Sequence, residues 1–503
     1  MMKKTILLAV LLSLLVLPGF ALAAAPAATT GNWEFTLGGF IKLDTMWDSA
    51  VVNKNLVGQV PRNNDPNLQH GRTRFTANAT RFSFGIKGPK IWGAQVTGYI
   101  EMDFDSAGAA QMSRSTAANA PTTETQDIGN FRLRQAFFRF NWPETELLLG
   151  QSWSFFSEFN PDAANDGAMQ YRGNMVYRPA QIRLTQKFMG MFTVAGMVAT
   201  PRMVGGPTGA GDEAVNAMNP GEMTETPHFE GKFSFEKDLY GKAPFYGAPR
   251  GLVAQVAVSW QQNRYRAFNM GTTSTWGKNN YSTTAFGPNW QNRTQYLNAW
   301  ALMYSMFIPV IPTHSANLAG TASLTTQWSI GQGMMHVLGG WATNDSYMWY
   351  QGDQVQAGTL RHMYDRKLTQ QFAGFVQGQY YFTNEWYANV VWGFMRTFGI
   401  GRNRDARIIT PTNPSGFMYA TPAATYDPVK YSNQFLTTLW YQPIKALKFG
   451  VQYGYTRDNY YQKTIATPGT AATTPPSGAI SANSRMTSIG EDHRLEFVGI
   501  FFF

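Results

Sequence analysis

Period-two alternation of apolar and polar residues recurs through most of this 503-residue chain. Successive side chains of an extended strand point to opposite faces, so the pattern predicts strands with one apolar and one polar side. Trp33 to Asp48 is the clearest case: Trp33, Phe35, Leu37, Ile41, Leu43 and Trp47 share one face. Glu34, Lys42, Asp44 and Asp48 share the other, with Phe40 and Met46 as exceptions. From Ala94 to Asp105, Val96, Ile100, Met102 and Phe104 oppose Gln95, Thr97, Glu101, Asp103 and Asp105. Further strands are predicted near 73–87, 129–140, 145–154, 180–188, 191–201, 228–237, 251–261 and 294–307. The remainder fall near 323–335, 371–382, 385–397, 431–441, 446–458 and 493–503, and 308–364 is the least regular stretch. The total of about sixteen is even, as single-chain bacterial barrels require.

The last of these strands, His493 to Phe503, sharpens the picture. Leu495, Phe497, Gly499, Phe501 and Phe503 form one continuous apolar face, while Arg494 and Glu496 begin the other. Termini in water usually fray, whereas the closing strand of a membrane barrel turns such a face to lipid. The ending also resembles the carboxy-terminal phenylalanine signal of bacterial outer-membrane proteins, which implies the barrel-assembly machinery as a partner recognising the strand that ends at Phe503. A soluble exported β-protein could hide the same alternation in a core. Faces this aromatic, in a chain with 15% aromatic residues, fit lipid and its interfaces better.

Connection lengths add a direction. Tight links are predicted near Gly88–Gly93, Asn141–Glu144, Met189–Gly190, Thr383–Asn384 and Gln442–Lys445, with middling ones near 238–250 and 308–322. Long polar segments near 49–72, 106–128, 155–179, 202–227, 262–293, 336–370, 398–430 and 459–492 alternate with them. This predicts an all-β, transmembrane antiparallel β-barrel, with short periplasmic turns, long extracellular loops and both termini on the periplasmic side.

At the amino end, Lys3 and Lys4 precede an apolar run from Thr5 to Leu17, then Pro18, Gly19 and Ala21-Leu22-Ala23. That order predicts a secretory signal peptide over 1–23, cleaved within Ala23–Ala25, followed by one barrel domain over 24–503. No later segment reaches about 20 consecutive apolar residues, so helical spans are not expected. The chain has no cysteine, hence no disulfide framework, thiolate metal site or covalent haem attachment. Its formal charge of +10 falls to +8 once Lys3 and Lys4 leave with the signal peptide. No Lys/Arg run of the kind that binds nucleic acid is present.

Catalytic constellations are missing. His70, His228, His314, His336, His362 and His493 are scattered and form no i, i+4 zinc pair. The glycines of 205–211 are not followed by a Lys-Ser/Thr pair, so a loop fits them better than a phosphate cradle. Asp103 and Asp105 are spaced like calcium ligands, but strand alternation explains them more simply. No enzyme activity and no cofactor or metal are expected, although a Ser–His pair brought together only by the fold would escape this reading.

A charged lumen remains. Lys42, Arg81, Arg132, Arg134 and Arg183 lie in strand interiors, mostly on the polar face. FRLRQAFFRF puts Arg132 and Arg134 on one face and Arg139 on the other, which a bulge would reconcile. An arginine facing lipid at mid-membrane costs roughly 2–4 kcal/mol, so Arg132 and Arg134 are expected inside. Opposite them the third long loop, Phe155 to Pro179, carries Glu158, Asp162 and Asp166. Its place after the fifth strand resembles that of the inward-folding third loop of general diffusion porins. Basic strand residues facing acidic loop residues would set a transverse field across a constriction; alternatively, these charges merely hydrate a wide lumen.

Six segments, in order, resemble the DcaP-type trimeric porins of Gram-negative outer membranes. They are GGFIKLD at Gly38–Asp44, TRFSFGIKG at Thr80–Gly88, GYIEMDF at Gly98–Phe104, NFRLRQAF at Asn130–Phe137, GQSWSFF at Gly150–Phe156 and RPAQIRLTQ at Arg178–Gln186. Beyond Gln186 the likeness is only that of a barrel with long loops. The resemblance implies a homotrimeric, sixteen-stranded outer-membrane channel, embedded in lipid and lipopolysaccharide, that passes small hydrophilic solutes and favours organic anions such as dicarboxylates. It implies that Lys42, Arg81, Arg132, Arg134 and Arg183 attract the anion. The periplasmic coiled-coil segment of some members has no counterpart before Trp33, which weakens the expectation of a trimer. Competing expectations are a scaffold barrel, for example the sheath of a porin–cytochrome conduit, and an outer-membrane enzyme.

Overall fold

The computed structural model describes residues 33–52, 57–58, 60–63, 68–105, 131–165, 167–201, 224–266, 268–270, 294–339, 346–356, 359–398, 429–460 and 487–503. The predicted signal peptide lies outside the described residues. Sixteen antiparallel strands close into a transmembrane barrel. They are β1 (Glu34–Asp48), β2 (Arg81–Ile91), β3 (Ala94–Asp103), β4 (Arg132–Asn141), β5 (Thr145–Gln151), β6 (Ala180–Phe188), β7 (Phe192–Ala199) and β8 (His228–Lys237). There follow β9 (Leu252–Arg266), β10 (Thr294–Ile311), β11 (Ala322–Gln332), β12 (Gln370–Tyr381), β13 (Trp386–Phe398), β14 (Val429–Ile444), β15 (Leu447–Tyr460) and β16 (Ile489–Phe502). Each pairs with its successor, and β16 returns to β1, with Phe502 opposite Phe40 and Arg494 opposite Asp48. Closure leaves no edge, the condition for a sheet to satisfy its backbone groups in lipid.

The alternation sets which side of the wall each residue takes. Phe35, Leu37, Ile41, Leu43 and Trp47 face outward and are exposed, while Lys42, Asp44 and Asp48 are buried inside. In β16, Leu495 is 52% exposed and its neighbour Arg494 only 3%. A one-residue slip would invert both faces, so lipid outside and charge inside fix the register together. Aromatic rings crowd the outer surface near the short turns. Trp92, Phe140 and Trp142 stack at 5.7 and 6.1 Å, and Phe192 stacks on Phe188 and Phe233 at 5.7 and 5.8 Å. Trp92-Gly93 and Met189-Gly190 make two-residue turns with all four φ angles positive, the hairpin geometry matched to strand twist.

Four details depart from simple alternation. The predicted strand at 73–87 is interrupted: Arg72–Thr76 pairs with Asp44–Asp48, and β2 begins after a break at 77–80. Thr80 fills the break, accepting a hydrogen bond from the Lys42 amide at 3.2 Å. The expected bulge in β4 is present. Glu101 pairs with Gln135 but Met102 with Leu133, so Arg134 is the extra residue and Arg132, Arg134 and Arg139 all reach the lumen side. Within the long loop after β11, a hairpin at Ser346–Gln356 and Thr359–Leu368 adds a small sheet with Phe268–Met270. Finally, the link between β8 and β9 carries its own two-stranded hairpin, Ala243–Phe245 with Ala248–Arg250.

Candidate functional site

The loop after β5 leaves the wall and crosses the interior. One 3-10 turn at Phe155–Ser157 is capped by Ser154, whose Oγ accepts from the Phe156 amide at 3.1 Å. Phe155 and Phe156 then sink against Met197, Ala257, Ala301 and Met303 on the inner faces of β7, β9 and β10. Further on, Phe159, Ala168 and Met169 pack against Phe307, Phe375, Val391 and Leu436 of β10, β12, β13 and β14. An apolar patch inside a barrel otherwise lined with polar groups is explained by this loop lying on it.

Three polar stations fix the loop. At its start, buried Glu230 of β8 accepts from Ser154 Oγ at 2.8 Å and from the Phe155 amide at 3.0 Å. At its middle, the Asp162 carboxylate meets Lys448 of β15 at 3.1 Å and accepts from Tyr387 at 3.0 Å and Gln379 at 3.2 Å. The Asp162 amide donates to Gln377 at 2.7 Å, and its carbonyl accepts from Asn389. At its end, fully buried Arg172 donates to Ser432 at 2.7 Å and pairs with Asp458 at 3.0 Å. It also donates to the carbonyls of Val57 and Gly58, at 2.6 and 2.8 Å, tying the first long loop to the third. Close approach there requires glycine: a Cβ on Gly173 (φ +106°) would fall on the backbone of Gly374, and one on Gly393 would strike the Arg172 carbonyl and Met169.

The eight residues singled out from sequence are placed as follows. Lys42 is buried, 2.8 Å from Asp44, and its Nζ donates to the Ala164 carbonyl at 2.7 Å, so it does touch the loop. Arg132 and Arg134 converge on Asp103 at 2.6 and 2.7 Å, and Arg134 also reaches Glu101 at 2.7 Å. Arg81 lies 4.0 Å from Glu101 and over the Phe40 ring at 4.9 Å, and Arg183 is 3.4 Å from Glu146. These partners stand on the same strand wall. Glu158 pairs with Lys232 of β8 at 2.6 Å, Asp162 with Lys448, and Asp166 lies outside the described residues. Lys232, Lys448 and Arg172 went unmarked by sequence. For the two lysines the signal was available, because each takes an inward position in its strand's alternation.

Depth sorts some of the charges on the wall of β2 to β6. Asp103 is fully buried behind Arg132, whose side chain is 32% exposed, and Arg81 and Arg139 likewise stand in front of Glu101 and Glu146. Arg134 and Arg183 are instead deeper than Glu101 and Glu146. Arg134→Met is expected to cost about 3–5 kcal/mol, since it strands Glu101 and Asp103 in the dry wall beside one fewer cation. Arg139, with its side chain 38% exposed and 3.2 Å from Glu146, should cost less than about 1 kcal/mol on the same change. Urea unfolding midpoints of the two variants read the difference.

The fold does bring a serine and a histidine together. Ser259 Oγ lies 3.0 Å from His228 Nε2, but Glu230 Oε1 lies 3.0 Å from the same nitrogen, and Gln261 Oε1 takes Nδ1 at 3.1 Å. A nucleophile–base–acid relay needs the serine and the carboxylate on opposite ring nitrogens. All of these groups are buried beneath the root of the loop, among Tyr177, Met334 and His336. This arrangement holds the loop; it is not built to attack a substrate.

No protein-family model matches the sequence, and no curated protein matches it. Among solved structures, the outer membrane channel DcaP of Acinetobacter baumannii is similar with a TM-score of 0.57 at 15% identity, covering 95% of this chain and 100% of that one. An anion-selective porin from Comamonas acidovorans gives 0.48 at 7% identity, over 94% and 100% of the two chains. OprB of Pseudomonas putida gives 0.45 at 9% identity, over 94% of each. The likeness to the first of these is one of fold.

Proposed function

We propose that this chain is a porin of the Gram-negative outer membrane, a passive channel for small hydrophilic solutes with a preference for organic anions. The observation that carries the reading is the inward loop, held at three stations against one side of a charged lumen. A barrel that only filled space would have no use for an internal partition facing an arginine-fronted wall. Short turns and termini then face the periplasm and the long loops the outside. A homotrimer, lipopolysaccharide around the outer aromatic surface and recognition of the Phe503 strand by the assembly machinery belong to the same reading.

The anion preference rests on the arginines at the front of the wall. A solute at mid-lumen meets Arg132, Arg139 and Arg81 before their carboxylates, while Arg183 lies deeper than Glu146, and low-dielectric walls focus that field. Lys42, Arg134 and the loop acids Glu158, Asp162 and Asp166 would shape the constriction. Purified protein in planar bilayers should give ion-permeable channels, with reversal potentials in a salt gradient showing anion selectivity. Absence of channels would sink the porin reading, and clear cation selectivity would sink the anion preference alone.

A further inference from the structure

The link between β8 and β9 lies at the turn end of the barrel, where a few residues would suffice, yet it forms a hairpin that folds inward. Its base is clamped to the link after β10: the Lys242 amide donates to the Thr313 carbonyl at 2.9 Å, and the Thr313 amide returns a bond to Lys242 at 2.7 Å. From there Ala243 to Phe245 run over the inner faces of β9 to β11. Ala243 is fully buried, Phe245 packs edge-on to Phe307 at 5.1 Å, and Ser323 donates to the Pro244 carbonyl at 3.2 Å.

The tip of the hairpin reaches the inward loop. Phe245 meets Phe159 edge-on at 5.6 Å. The Tyr246 hydroxyl accepts from the Asn160 amide at 2.7 Å and donates to the Asn160 carbonyl. Arg250 lies over the Phe245 ring at 4.6 Å and is held in place by Glu236 at 2.8 Å. Asn160 stands between Glu158 and Asp162, so the hairpin supports the acidic stretch of the loop from below.

We infer that this hairpin is a second constriction element, which narrows the channel from the turn end and positions the inward loop through Phe245 and Tyr246. The inference rests on the channel reading of the barrel. Tyr246 to Pro249 are exposed, so half of the hairpin is seated on the wall and half projects into the water-filled path. A solute that clears the loop must then pass beside this projecting half. Tyr246 is a positioning residue in this scheme. Its hydroxyl ties the two elements together, and removing it should let the loop fluctuate without changing any charge.

The absence of cysteine makes a direct test clean. Ala248→Cys, at an exposed site, should react with a sulfonated methanethiosulfonate reagent and lose single-channel current, while the parent protein is unaffected. Replacing Ala243–Arg250 by Asn-Gly should raise conductance about two-fold by widening the path. Tyr246→Phe should leave mean current near the parent value and increase open-channel noise. Modification of the introduced thiol, confirmed by mass, with no change in current would overturn the inference, as would parental conductance and noise in the other two variants. If the shortened barrel does not assemble, the two point variants decide. A parent protein that conducts nothing would refute the channel reading, and this inference with it.

Discussion

Arg172→Met is expected to destabilise the barrel and widen its channel in one step. The guanidinium bonds the Ser432 hydroxyl, two carbonyls of the first long loop and the Asp458 carboxylate, all out of contact with water. Methionine fills much of the volume but leaves Asp458 buried without this cation, a loss of about 3–5 kcal/mol. Asp458 keeps the Val60 amide at 2.9 Å and the Ser432 hydroxyl, which soften the loss without replacing the charge. Arg172→Lys should fall between, because an ammonium cannot span the same fork of acceptors. Arg172→Met with Asp458→Asn should recover part of the stability. Heat-modifiable gel migration measures the first effect, and single-channel conductance measures the second. Parental values for both in Arg172→Met would show that this station does not hold the loop.

The second large effect is expected from a change of one methyl group. Gly173 adopts φ +106° and lies on the backbone of Gly374, with its own amide donating to the Gly339 carbonyl at 2.7 Å. An alanine there must strain its backbone and push the loop off the wall, at a cost of about 2 kcal/mol or more. Gly374 cannot retreat, because the Trp328 ring covers its outer side. Gly190→Ala is the matched control: φ is +65° and nothing lies near the added carbon, so about 1 kcal/mol of strain is all it should show. Gly173→Ala should therefore change conductance and melt early, and Gly190→Ala should conduct normally. Equal behaviour of the two would mean that the close approach at Gly374 carries no energy.

How much of this was legible in the sequence depended on the range of the interaction. Strands, faces and closure were readable because lipid imposes the alternation locally, as Leu495, Phe497 and Phe501 show against Arg494 and Glu496. Even the β4 bulge was visible, since Arg139 would otherwise have faced lipid. The break at 77–80 was not, because Thr80 answers to the Lys42 backbone on another strand. The inward loop was located by its place in the order of strands, but its partners were not. Asp162 and Lys448 are 286 positions apart, and no local pattern couples them. Nothing local in the sequence marked Arg172, and only the fold buries it.

The three stations also impose an order in time. Apart from the Lys42 contact, the first-loop carbonyls and the bonds of its root at Ser152 and Trp153 to β4 and β6, the inward loop bonds to β8, β9 and β11 to β15, all of which follow it in the chain. Its last partner strand, β15, is only one strand from the end. Contacts of such separation form late, since the intervening chain must first be brought together. The cylinder must therefore be nearly complete before its partition can seat, and the lumen of a newly closed barrel is more open than that of the mature one.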